Sequence, residues 1–143
     1  MKNVNESGRS MVEMLGVLAI IGVLSIGGIA GYTMAMNKYR ANNIVNALVQ
    51  AAIDCRTRGR ISDDILDGVE GIATNGSSKA VTCFNKHKGI VEFKLDSSTN
   101  NQKAIAKMVC KSLNAASDNT GDSAADCTSD SAVGSTLYYK PQS

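Results

Sequence analysis

No charged side chain interrupts the chain between Met14 and Met36. That run of about 23 residues, as a helix rising 1.5 Å per residue, covers roughly 34 Å, enough to cross a hydrocarbon core. In lipid the backbone must satisfy its own hydrogen bonds, so a single span of this kind is a helix. Lys2 and Arg9 precede the run and no second run of comparable length follows. Positive charge stays on the cytoplasmic side, which predicts an inside N-terminus and carries everything after Tyr39 across the membrane. One residue conflicts with its surroundings: Glu13 stands where the apolar run begins. An ionised carboxylate resists burial in an apolar medium unless a cation meets it.

The apolar run is broken by Gly16, Gly22, Gly27, Gly28 and Gly31. Each glycine costs helix propensity, so five together point to close helix packing or a deformable stretch. Gly27 and Gly31 form a small-xxx-small pair of the kind that lets helix backbones approach closely. Beyond Tyr39 no Gly or Pro intervenes before Gly59, and Ile44, Leu48, Ala51, Ala52 and Cys55 recur on one helical stripe. One continuous helix is expected from about Ser10 to Arg58, its second half laid on a small domain.

Composition excludes several functions. A net charge of +2 gives no case for a nucleic-acid surface, and the absence of Trp weakens readings based on base stacking. A single histidine, His87, rules out a centre built from several histidines. No phosphate-cradling glycine motif and no nucleophile–base set is recognisable, so no catalytic residue, metal or cofactor is predicted. All four cysteines, Cys55, Cys83, Cys110 and Cys127, follow the apolar run. In an oxidising compartment an even set reads as two disulfides, in any of three connectivities. Their spacing lacks the close pairs of a zinc site. A head of roughly 85 residues beyond the helix is small enough to need such staples.

The head begins with a glycine-punctuated connection in which Ser62, Asp63 and Asp64 head a short helix ending near Gly68. Basic Arg56, Arg58 and Arg60 precede acidic Asp63, Asp64, Asp67 and Glu70. Such charges are ordinarily solvated. "KAVTCFN" and "GIVEFKL" flank "KHKG" as a hairpin, with Gly89 at the turn end and Val81, Cys83, Val91 and Phe93 inward. His87 falls on that turn. An amphipathic helix follows, capped at Ser98 or Thr99, with Ile105, Met108, Val109 and Leu113 facing the core; "STLYYK" makes a last strand. The order predicts an α+β fold in which a long N-terminal helix packs on a small antiparallel sheet.

Gly8 followed by "RSMVEMLGVLAIIGVLSIGGIAGY" resembles the N-terminus of type IV prepilins and type II secretion pseudopilins. The resemblance covers about residues 7–40 and is architectural beyond. It implies a pilin-like fold in three parts: a leader (1–8), a transmembrane and filament-core helix (9–38), and an exported head (39–143). It implies cleavage after Gly8 by a prepilin peptidase, with Arg9 as the new, N-methylated terminus where relatives usually carry an apolar residue. Glu13 becomes the fifth mature residue, whose carboxylate pairs with the terminal amine of a neighbour. Similarity to the disulfide-bounded C-terminal region of many pilins implies Cys110–Cys127, leaving Cys55–Cys83.

The implied partners are copies of the chain or related pilin subunits, the peptidase, an inner-membrane assembly platform with its motor, and lipid before assembly. The implied location is the bacterial inner membrane, then a periplasmic or surface filament. A pilus subunit and a secretion pseudopilin fit equally at this level. Rivals from other classes are an exported domain or enzyme on an uncut signal anchor, and a secreted protein cut near Ala35. Asp118, Asp122 and Asp126 invite a calcium reading, but their spacing does not match an EF-hand loop.

Overall fold

The structure, a computed structural model, describes residues 10–141, and helix α1, Lys2–Arg58, begins before that range. The expected leader Met1–Gly8 and the new terminus Arg9 lie outside the described residues. The chain divides into two units, Met1–Met36 and Asn37–Ser143. The first consists of α1 alone. The second is an α+β unit in which the remainder of α1 packs on small antiparallel sheets.

In that second unit α1 buries Ala41, Ile44, Ala47, Leu48, Ala51, Ala52 and Cys55, a stripe at three- and four-residue steps. Small residues at four of these seven positions let the sheet approach the helix axis. The helix stops at Gly59, whose φ of 73° would strain any side chain and whose N–H donates to the Cys55 carbonyl at 3.0 Å. Arg56 and Arg58 in the last turn complement its dipole.

A short helix α2, Asp63–Leu66, follows. Ser62 occupies its N-cap position without making the expected cap bond. Its hydroxyl accepts from the Arg58 guanidinium at 3.1 Å, and its N–H donates to Asp54 Oδ2 at 3.3 Å. A tertiary arrangement has displaced the local one.

A pair of two-residue strands, β1 (Thr74–Asn75) and β2 (Ser78–Lys79), forms a hairpin absent from the sequence reading. The main sheet runs in the order β3 (Val81–Asn85), β4 (Ile90–Lys94), β5 (Thr136–Tyr139), all antiparallel. Val81, Phe93 and Leu137 align across it and are buried together; Cys83, Val91 and Tyr139 form the next inward row. Gly89 closes the β3–β4 turn with φ 71°, and a Cβ there would lie 3.3 Å from the Ala52 carbonyl oxygen.

Helix α3, Asn100–Leu113, is capped by the Thr99 hydroxyl, which accepts from the Gln102 N–H at 3.1 Å. Ile105, Val109 and Leu113 are buried as expected, while Met108 lies half-buried and Ala106 and Cys110 complete the inner face. Helix α4, Asp130–Val133, leads into β5.

Disulfides join Cys55 to Cys83 and Cys110 to Cys127. The first ties the end of α1 to β3, across 28 residues; the second links α3 to the polar loop before α4, across 17. Closing loops of this size restricts the unfolded chain by about 3–4 kcal/mol each. Replacing Cys110 and Cys127 together by Ser should destabilise the head by about 3 kcal/mol. Urea unfolding of the detergent-solubilised chain, followed by circular dichroism, measures the loss. Phe93→Ala, which empties the centre of the sheet's inner face, should cost about 3–5 kcal/mol in the same assay.

Candidate functional site

The described part of the first unit has the surface of a buried helix, left exposed among the described residues. Met11, Val12, Met14, Leu15, Val17, Leu18, Ile20, Ile21, Val23, Leu24, Ile26 and Ile29 are each more than half exposed. Ile26 reaches 75%. It is the one helix among the described residues long and apolar enough to cross a membrane, and it lies near the N-terminus. These side chains point in every direction around the axis, which suits lipid or a bundle of like helices rather than one flank of a globular core.

Glycine placement sharpens this. A Cβ added at Gly16, Gly22, Gly27, Gly28 or Gly31 would meet nothing within 4 Å. Each glycine costs about 1 kcal/mol of helix propensity against alanine. Among the described residues no packing explains that cost. At 3.6 residues per turn, Gly16, Gly27, Gly28 and Gly31 fall within about 60° of Glu13 around the axis, with Gly22 on the opposite side. The carboxylate and four of the five glycines therefore share one flank. Sequence reading had counted the glycines without projecting them; a helical wheel was the signal that could have found their common side.

The other candidates separate in space. His87 is exposed on the β3–β4 turn, its N–H donating to Asn85 Oδ1 at 3.0 Å. Asp118, Asp122 and Asp126 do not converge. Asp118 accepts from the Thr120 hydroxyl at 2.7 Å and from Ser123; Asp122 pairs with Lys140 at 2.9 Å; Asp126 accepts from the Thr128 hydroxyl at 2.6 Å. Among the described residues no group of three or more His, Cys, Asp or Glu side chains is placed to hold a metal ion. A depression on the head, about 980 Å³, is bordered by Val45, Val49 and Ile53 of α1 and by Tyr139, Lys140 and Pro141; its charged groups are the paired Asp122 and Lys140.

No known protein family, characterised protein or solved structure matches the chain.

The Thr120 hydroxyl, with Ser123, holds the Asp118 carboxyl below its ordinary value, and the Thr128 hydroxyl and N–H do the same for Asp126. A carboxyl depressed in the folded state contributes stability above its unfolded pKa and loses it as pH falls through the folded one. The loop between Cys110 and Cys127 should therefore loosen on acidification below the ordinary carboxylate range, and not between pH 5 and 8. Carboxyl and amide NMR across a pH series checks this. Asp118→Asn should remove most of the acid dependence at Ser123.

Proposed function

We propose that the chain is a structural subunit of a type IV pilus or a related filament of the type II secretion class, and not an enzyme. The observation that carries this reading is the helix just described, apolar on every side, with four of its five glycines on the flank that bears Glu13. A lone signal anchor needs the apolar surface but has no use for that flank. A helix exchanged between lipid and a bundle of its own kind uses both.

Cleavage after Gly8 frees the amine of Arg9, four residues before Glu13 and about 6 Å from it along a helix. Between copies shifted along the axis, the amine of one meets the carboxylate of the next in surroundings that exclude water. There an unpaired carboxylate is costly, and removing one partner of a buried pair costs about 3–5 kcal/mol. The pair fixes axial register more than it adds net stability. The glycines on that flank let neighbouring backbones close to the distance the pair requires. Lipid covers the helix before assembly. The disulfide-bonded heads face outward, and mechanical work comes from a separate cytoplasmic motor working through the assembly platform.

The test is the intact mass and N-terminal sequence of protein sheared from cells. A chain beginning at Arg9 is expected. One beginning near Met36 is a secreted protein and one retaining Met1 a membrane-anchored domain, and either defeats the proposal. In Glu13→Ala the head should fold and its disulfides form, while sheared material falls by about tenfold or more. Normal assembly of that variant as the sole copy would count equally against the reading.

A further inference from the structure

Asn75 is the one asparagine in the chain that precedes a glycine. It ends β1 and leads into the two-residue turn Gly76–Ser77, and all three residues are exposed. An asparagine side chain places its carbonyl carbon, Cγ, where the backbone nitrogen of the next residue can close a five-membered ring on it. Closure depends on access to that nitrogen, on a free side-chain amide and on a backbone able to turn.

All three conditions meet at Asn75. Gly76 has no side chain to shield its nitrogen, and a Cβ placed there would meet nothing within 4 Å, so the space around the turn is open. Among the described residues neither the Gly76 N–H nor the Asn75 amide is engaged in a hydrogen bond. Gly76 has φ 69°, in the region glycine enters without steric cost. The strand pair has two rungs only, Thr74 with Lys79 and Asn75 with Ser78, and a hairpin so short opens readily. Opening stays local. The Ala80 N–H donates to the Ala73 carbonyl at 2.8 Å and the Ala73 N–H to the Lys94 carbonyl at 2.9 Å, which ties the base of the hairpin to β4.

The other described asparagines are each held back. Asn37, Asn42, Asn43 and Asn46 lie in α1, and Asn100 and Asn101 in α3, where helical backbone angles keep the next nitrogen out of line. Asn85 is fixed by its Oδ1, which accepts from the N–H groups of His87 and Lys88 at 3.0 and 3.2 Å. After Asn114 the Ala115 N–H is occupied, donating to the Cys110 carbonyl at 3.1 Å. Asn119 precedes Thr120, whose branched Cβ crowds the approach.

We infer that Asn75–Gly76 is a self-modifying site, at which the chain converts its own asparagine to aspartate and isoaspartate without an enzyme. The Gly76 nitrogen gives its proton to hydroxide and attacks Asn75 Cγ. A Cγ–N bond forms, the Cγ–Nδ2 bond breaks, and Nδ2 leaves as ammonia with a proton from water. Water then opens the cyclic imide. Opening at Cγ gives aspartate; opening at the main-chain carbonyl gives isoaspartate, with the backbone running through the former side chain. Water is consumed and ammonia released, and nothing is oxidised or reduced. Either product adds a negative charge to the hairpin, and the isoaspartyl form adds a backbone carbon that puts β1 out of register with β2. The inference is independent of the filament reading.

The test is a time course on the full-length chain, purified in detergent and held at neutral and mildly alkaline pH, with tryptic peptides followed by mass spectrometry. The peptide Ile61–Lys79 contains Asn75 as its one amide side chain. It should gain about 1 Da, as NH₂ is replaced by OH, before any other asparagine-containing peptide does. The rate should rise with hydroxide, and fragmentation should reveal isoaspartate at position 75. Gly76→Asp, a residue type that tolerates positive φ, should slow the conversion by about tenfold or more by hindering the nitrogen. Asn75→Gln, which leaves the glycine in place, should hold the peptide at constant mass over the same period. Conversion at Asn85, Asn114 or Asn119 ahead of Asn75, an unchanged rate in Gly76→Asp, or a product without isoaspartate overturns the inference.

Discussion

The structure depends on an imbalance of surface between Ser10 and Met36. A helix apolar on every side has no stable exposed state in water, because each large side chain left in solvent forgoes about 1.5–3 kcal/mol of transfer free energy. Summed over the exposed Met, Val, Leu and Ile residues of this segment, the penalty exceeds the whole net stability of an ordinary domain. The segment calls for cover, and among the described residues nothing buries it. Lipid meets the requirement, and so would a bundle of apolar helices.

These media differ in what they do to Glu13 and to the glycines. In lipid the carboxylate at the mouth of the segment can reach headgroups and the glycines only weaken the helix. In a bundle the same glycines permit backbone approach, and the carboxylate needs a cation at its own depth. Residues that are neutral or unfavourable in one medium become useful in the other. Four of the five glycines lie on the flank that bears Glu13, so the two media would act differently on that one flank.

Much of the head was legible because its signals are local and repeated. The stripe from Ile44 to Cys55, the hairpin around "KHKG" and the three- and four-step pattern in α3 each rest on several residues agreeing about one period. What escaped lacked repetition. Strands β1 and β2 have two residues each, too few for any alternation, although Gly76–Ser77 between them, with Gly first and φ 69°, is a two-residue turn signal. Ser62 read as a cap because its neighbours are right; that bond is lost to Arg58 and Asp54, an outcome set by the preceding helix. Met108 is left half-buried because Ala106 and Cys110, small and on the inner face, let α3 sit close to the core. For Glu13 and its glycines, identity and spacing were readable, but what they act on lies outside the chain.

The Cys55–Cys83 bond gains meaning when α1 is considered as the element on which any pull must act. Tension applied along the helix reaches the head only through Asn37–Arg58, whose contacts are a run of small and medium apolar side chains. Such contacts resist displacement cooperatively, yet a helix sliding one turn could exchange Ile44, Leu48 and Ala52 for one another. A covalent link in the last turn forbids that slide, because Cys55 cannot leave β3. The same link holds the strand that presents the β3–β4 turn. A displacement of the helix end is therefore transmitted through a single bond to β3 and to the turn that β3 leads into.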